Sequence, residues 1–236
     1  MTDPPKVAVV TGSSRGIGAG LTSAFRKAGY AVIGTALTIE AADEADFVTV
    51  PGDIAEPETA DRIVACALDR FGRIDTLVNN AGIFIGKPFT EYTVEDYEAM
   101  IAVNLTGFFH ITQRAIREMK RRGTGHVVNV STSLVDHARS DSPSALASLT
   151  KGGLDAVTRS LAIEYAAHNV RVNAVSLGVI ETPMHPPGEY AGLARVHPLG
   201  RTGTVADVVD GILYLERATF VTGETLHIDG GQAAGH

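Results

Sequence analysis

The most chemically suggestive spacing in this sequence is Thr11-Gly12-Ser13-Ser14-Arg15-Gly16-Ile17-Gly18, directly after an apolar, β-branched run at 7–10. A strand, a glycine turn and a helix start form the setting in which free backbone amides and the positive end of a helix dipole hold a phosphate. Gly12 can take backbone angles that other residues resist, Gly16 lets the main chain approach a pyrophosphate, and Gly18 lets the helix pack close to the sheet. The chemistry on offer is the binding of a dinucleotide, although the spacing is not the G-x-G-x-x-G of the standard fingerprint. An acid at the end of the second strand would repel a 2′-phosphate, and that stretch reads Gly34-Thr35-Ala36-Leu37-Thr38 with no acid before Glu40. Arg15 carries a guanidinium fork suited to a phosphate. These residues favour NADP(H), with NAD(H) as the alternative.

Other reactive side chains point away from rival chemistries. His137 and His185 lie in loops without acids at metal-ligand spacing, so no metal and no base role is assigned to them. Cys66 is the sole cysteine, which excludes an intramolecular disulfide and a cysteine metal cluster and leaves it a core residue. The net charge is -7, and the basic residues are dispersed apart from Lys120-Arg121-Arg122, so neither nucleic acid nor an anionic membrane is an expected partner. No apolar run approaches the roughly 18 residues of a membrane span. The first strand-like run begins too close to Met1 for a secretory signal, and a cytoplasmic location is expected.

These residues need elements to position them. Apolar runs at 7–10, 31–35, 47–50, 76–79, 126–130, 171–175 and 224–228 read as strands. Helical spacing recurs at 16–28, 58–71, 94–121, 143–167 and 205–215, the fourth of these with Ser142 as N-cap and Pro143 as first residue. Such alternation demands an α/β fold, a doubly wound parallel sheet of about seven strands with helices on both faces. The chain of 236 residues suits one domain, 1–236. The stretch 180–201, rich in Pro and Gly, follows a strand end and is expected to be a substrate lid.

Thr11 to Gly18 resembles the TGxxxGxG turn of the short-chain dehydrogenases/reductases, and Asn79-Asn80-Ala81-Gly82 resembles their NNAG motif. Asp53-Ile54, Val103-Asn104-Leu105 and Asp229-Gly230-Gly231 match further family positions in order, so that the resemblance covers essentially the whole chain. Positions 32–36 and 222–231 are similar to the ketoacyl carrier-protein reductase branch. The resemblance implies a Rossmann-type sheet and an oxidoreductase acting on a small carbonyl, alcohol or imine. It implies that Asp53 contacts the adenine with Ile54 beside it, that Asn80, Ala81 and Gly82 line the adenosine side, and that Thr182 bonds the nicotinamide carboxamide. Gly12, Ser14, Arg15, Gly16, Ile17, Gly18, Thr35, Ala36, Gly178 and Ile180 complete the cofactor set it implies. Leu177-Gly178 departs from the family's Pro-Gly.

The family's catalytic set is a tyrosine, a lysine four residues later, a serine and an asparagine. By the resemblance Lys151 is the lysine, binding cofactor as well, Asn104 the asparagine, and Thr132 stands at the serine position with Ser131 and Ser133 beside it. The tyrosine position is Ala147, and no tyrosine occurs between Tyr97 and Tyr165. Three readings stay open. Hydride transfer proceeds with another proton source, namely Lys151, a water relayed through Asn104, or Ser144 and Ser148; or the protein binds dinucleotide without turnover; or the alanine is an engineered change. Tyr190, within 180–201, is an outside alternative phenol. Leu146, Leu149, Leu154, Val157, Leu161 and Tyr165 recur at helical spacing, and the resemblance implies a homotetramer built from homodimers through this helix.

Overall fold

A computed structural model describes residues 4–184, 188 and 190–235. The strands β1 (Val7–Thr11), β2 (Ala31–Thr35), β3 (Phe47–Thr49), β4 (Thr76–Asn79), β5 (Gly125–Thr132), β6 (Val170–Leu177) and β7 (Thr225–Ile228) form one sheet in the order β3-β2-β1-β4-β5-β6-β7. Every pairing is parallel, as in Val9 opposite Ile33 and Val128 opposite Asn173. The expected doubly wound α/β sheet is therefore present. Its order runs outward from β1 in one direction and resumes at β4 in the other, so the crevice for a ligand opens between the C-terminal ends of β1 and β4.

Alternation along each strand sorts side chains between two cores. Val7, Val9, Leu77, Val127 and Val172 face the helices α2 (Pro57–Phe71), α4 (Gly107–Arg122) and α5 (Ala145–Tyr165), meeting Ile63, Ile111 and Ala162. Ala8, Val10, Val78, Val128 and Val175 face α1 (Gly16–Lys27) and α7 (Val205–Arg217), meeting Leu21, Phe25 and Ile212. Both faces of the central strands are thus buried, which is why those strands read as continuous apolar runs. Cys66 packs half-buried against the first of these cores, and burial pushes its thiol pKa up.

Three expectations need correction. The helical stretch at 94–121 is α3 (Val94–Ile101), a π-helical turn at Ala102–Thr106, and then α4, with the Gly107 amide reaching back five residues to Ala102 O. A helical period averaged over the whole stretch cannot register one widened turn. Ser142 is not the N-cap of α5: its amide closes a turn onto Arg139 O, and the helix starts at Ala145 behind Ser144, whose hydroxyl makes no capping bond. Of the seam expected along α5 as an oligomer face, Leu146 and Leu154 are buried within the subunit and Leu161 and Tyr165 pack against its core, leaving Leu149 as its exposed member. The remaining element, α6 (Tyr190–Leu193), is a single turn inside the stretch expected to be irregular.

Candidate active site

Helix α1 opens at Gly16 with Arg15 at the N-cap in extended geometry, no side chain bonded to the cap, and no acid in the first turn. The first-turn amides therefore lack both an intrahelical acceptor and a capping oxygen, which suits an anionic ligand. Gly12 and Gly16 both have left-handed backbones, at φ 66° and 56°. A Cβ at Gly18 would run into Gly12 O. A Cβ at Gly16 would meet the Thr182 side chain at 3.4 Å, so the turn and position 182 face one another although 166 residues separate them.

Thr11 ties this turn to the end of β4. Its hydroxyl donates to Val78 O at 3.3 Å and accepts from the amides of Asn80 at 3.0 Å and Ala81 at 2.9 Å. The Asn80 side-chain amide returns to Thr11 O at 2.8 Å and Gly12 O at 3.2 Å. Asp53 is exposed, with Oδ1 accepting from Ala55 N at 2.9 Å, and Ile54 is buried beneath Gly107. Ser14 and Arg15 are exposed, and Ala36 is partly so. Thr35 is buried, its hydroxyl enclosed without a partner.

On α5, Lys151 Nζ donates to Val130 O at 2.8 Å. Burial pulls its pKa down to about 8, against the opposing pull of the Asp155 charge. Gly82 leaves room for it: a Cβ there would lie 2.9 Å from Lys151 Nζ and 3.2 Å from Asn104 Oδ1. Asn104, inside the π-helical turn, bonds Ile83 through both side-chain atoms and also donates to Thr150 Oγ1 at 3.1 Å. One helical turn before the lysine, Ala147 is buried beside Met100 and Leu146.

The hydroxyls at 131–133 separate clearly. Ser131 Oγ donates to Asp155 at 3.0 Å and Ser133 Oγ to Leu177 O at 3.1 Å, both buried. Thr132 Oγ1 accepts from Leu134 N at 3.4 Å, leaving its own proton for a ligand. Ser148 Oγ is bonded to Leu134 O and the Tyr190 hydroxyl to Thr182 O, so neither offers a free donor. His137 joins no metal-binding cluster among the described residues, and His185 lies outside them.

Of these groups, Ile17, Asn80, Gly82, Thr132, Ala147 and Lys151 line one cavity of about 350 Å³, whereas Ile54, Ala81 and Asn104 line a separate small pocket. Ile180 and Thr182 enter it from the segment after β6. That segment is pinned at its base: Glu181 N donates to Gly203 O and Gly203 N to Val179 O, while His197 Nε2 accepts from Val179 N at 3.0 Å. Gly178 is forced here, because a Cβ would meet His197 Nε2 at 2.6 Å. Sequence reasoning missed Arg139, Asp141 and Gln232, which also line the cavity. Arg139 and Asp141 sit in a loop and Gln232 opens a three-residue 3-10 turn, too short for periodicity to carry a signal; only the nearby Asp229-Gly230-Gly231 could have drawn attention to Gln232.

Residues 12–233 match the family model described as enoyl-(acyl carrier protein) reductase. The chain is 37% identical to the granaticin polyketide synthase putative ketoacyl reductase 2 of Streptomyces violaceoruber, over 98% of each. Its fold is similar to that of ElxO with NADP bound, at a TM-score of 0.91 and 29% identity, covering 98% of this chain and 100% of that one. It is also similar to the 3-ketoacyl-(acyl-carrier-protein) reductase of Brucella melitensis complexed with NADH, at a TM-score of 0.88 and 29% identity over 97% and 98% of the two chains.

Proposed function

Because this chain belongs to the short-chain dehydrogenases/reductases, a family of NAD(P)-dependent oxidoreductases, in the ketoacyl reductase branch, we propose that it is an NADP(H)-dependent oxidoreductase of small carbonyl, alcohol or imine substrates whose proton carrier is Lys151. The observation that carries this reading is the Lys151 amine, held by burial at about 8 in the wall of a cavity whose neighbouring position is Ala147. When bound, the cofactor supplies or takes the hydride. Thr132 donates a hydrogen bond to the substrate oxygen, and Lys151 gives that oxygen a proton in reduction and takes one in oxidation. The pKa suits both directions, since a general acid or base works best near the operating pH.

The uncapped first-turn amides of α1 and the glycines at 12, 16 and 18 support phosphate binding in this reading, with Asn80, Ala81 and Gly82 lining the adenosine side. Asp53 and Ile54 receive the adenine, and Thr182 the carboxamide. Exposed Arg15, with no acid before Glu40, supports NADP(H) over NAD(H). Residues 180–201 act as the lid of a single domain. The exposed Leu149 and Ile163 of α5 and Phe109 of α4 support a homotetramer assembled from dimers.

The test measures NADPH and NADH oxidation across ketones, diketones and cyclic imines, in the parent, in Lys151→Ala and in Ala147→Tyr. The expected result is parent activity that falls about 10²–10⁴-fold in Lys151→Ala. A silent parent that binds NADPH, with ketone reduction appearing only in Ala147→Tyr, would instead identify a dinucleotide-binding protein without turnover.

A further inference from the structure

Two rungs join α5 to the end of β5, one helical turn apart. Lys151 Nζ donates to Val130 O at 2.8 Å, and four residues later Asp155 Oδ2 accepts from Ser131 Oγ at 3.0 Å. Residues four apart share a helix face, so the amine and the carboxyl group engage consecutive residues of one strand. Nothing in the cavity chemistry above uses Asp155, yet it is a carboxyl at 7% exposure whose Oδ1 is enclosed without a donor. Buried polar atoms are ordinarily satisfied by hydrogen bonds. Here one hydroxyl serves one oxygen, and the charge on the other acts over distance in a poorly screened interior.

We propose that Asp155 is a positioning residue for this cavity, acting through Lys151: fixed in place by Ser131, its charge holds the buried amine in the protonated form. The charged and titratable groups around Asp155 are Lys151 and Arg159 on α5, Asp136 after β5 and His227 on β7. Arg159, Asp136 and His227 are exposed, where water screens them, and His227 is already bonded to Asp136 at 3.0 Å. Lys151, by contrast, stands in the cavity wall, where burial favours the neutral amine and the Asp155 charge opposes it. The consequence for turnover rests on the hydride-transfer reading above, in which reduction needs the ammonium. Charge and hydrogen bond are separable here: Asp155→Asn keeps an oxygen for Ser131 and loses the charge, whereas Ser131→Ala keeps the charge and loses the bond.

The test follows the amine itself. The full chain is labelled with [ε-¹³C]lysine, and the Lys151 resonance, identified by its loss in Lys151→Met, is titrated against pH. Asp155→Asn should lower the Lys151 midpoint by about one pH unit, while Ser131→Ala leaves it near the parent value. Asp155→Thr, which also removes the charge and offers Ser131 an oxygen, serves where the asparagine chain does not fold. An unmoved midpoint on removal of the charge, a rise, or an equal fall in Ser131→Ala would overturn the proposal. The pH midpoint of kcat for NADPH oxidation should move with the resonance. Because the titration needs no turnover, a moved resonance in a chain that oxidises no NADPH with ketones or imines would sink the hydride-transfer reading alone.

Discussion

The Thr11 hydroxyl and the Asn80 side chain lock the ends of two neighbouring strands in both directions, Thr11 Oγ1 accepting from Asn80 N at 3.0 Å and Asn80 Nδ2 donating to Thr11 O at 2.8 Å. The glycine turn begins at the next residue, so the lock fixes where a phosphate would rest. Thr11→Val keeps the shape and leaves the Asn80 and Ala81 amides without their acceptor. The unfolding free energy should fall by about 2 kcal/mol in urea titration. NADPH affinity should drop as well, as read by fluorescence titration.

A methyl group at position 82 would press on the end of the Lys151 side chain, its Cβ lying 2.9 Å from Lys151 Nζ and 3.2 Å from Asn104 Oδ1. Gly82→Ala should displace the Lys151 amine and leave the sheet intact. The expected outcome is an unchanged far-ultraviolet spectrum with a pH-rate profile whose midpoint moves away from that of the parent.

With Lys151 as the proposed proton carrier, its amine, lowered by burial from 10.5 to about 8, should set the pH dependence. Reduction needs the ammonium, so kcat should decline as pH rises through about 8, and oxidation should gain over the same range. The sign for stability is opposite to that of a stabilised cation. Between about 8 and 10.5 the unfolded chain binds more protons than the folded one, and the contribution of Lys151 to stability rises across that window. Lys151→Met should flatten both effects, read by steady-state rates and by melting temperature against pH.

At the opposite rim of the sheet, Glu216 accepts from Tyr30 at 2.8 Å and Thr76 at 3.0 Å, and meets His126 Nδ1 at 2.7 Å. Asn173 Nδ2 lies 3.1 Å from His126 Nε2, so the ring is neutral, accepting there and donating to Glu216 from Nδ1. Burial lowers the His126 pKa; burial raises that of Glu216, but the hydrogen bonds from His126, Tyr30 and Thr76 overcome it and hold the carboxyl at about 2. Both groups lose stability toward acid: His126 as pH falls below its unfolded value of 6.5, and Glu216 as pH falls from 4.5 to about 2. Glu216→Leu, which leaves the donors of His126, Tyr30 and Thr76 without their acceptor, should cost about 3 kcal/mol at neutral pH, and Glu216→Gln should remove the lower step of the acid melting curve.

Much of the fold is legible in the sequence. The strands at 31–35 and 76–79 end where composition places them, because buried parallel strands are β-branched runs bounded by turn residues. The strand, glycine turn and helix start at 7–18 were equally plain, since they depend on local spacing, whereas the roles given to Lys151 and Ala147 came from the family resemblance alone. What stayed hidden was long-range. Nothing in the order Ser131-Thr132-Ser133 says that β6 and α5 absorb the outer two hydroxyls and leave the middle one its proton. Likewise, only the folded chain brings Arg139 and Gln232 to the same cavity.

The Glu216 cluster grips the N-terminal ends of the strands through Thr76, His126 and Arg171, the last bonding Leu215 O at 2.8 Å, while the cavity walls hang from the C-terminal ends. Cohesion and chemistry are therefore insured at separate addresses. A substitution in the cavity wall should then leave the hold of this cluster on the sheet untouched, and one in the cluster should weaken the sheet without altering the cavity's lining.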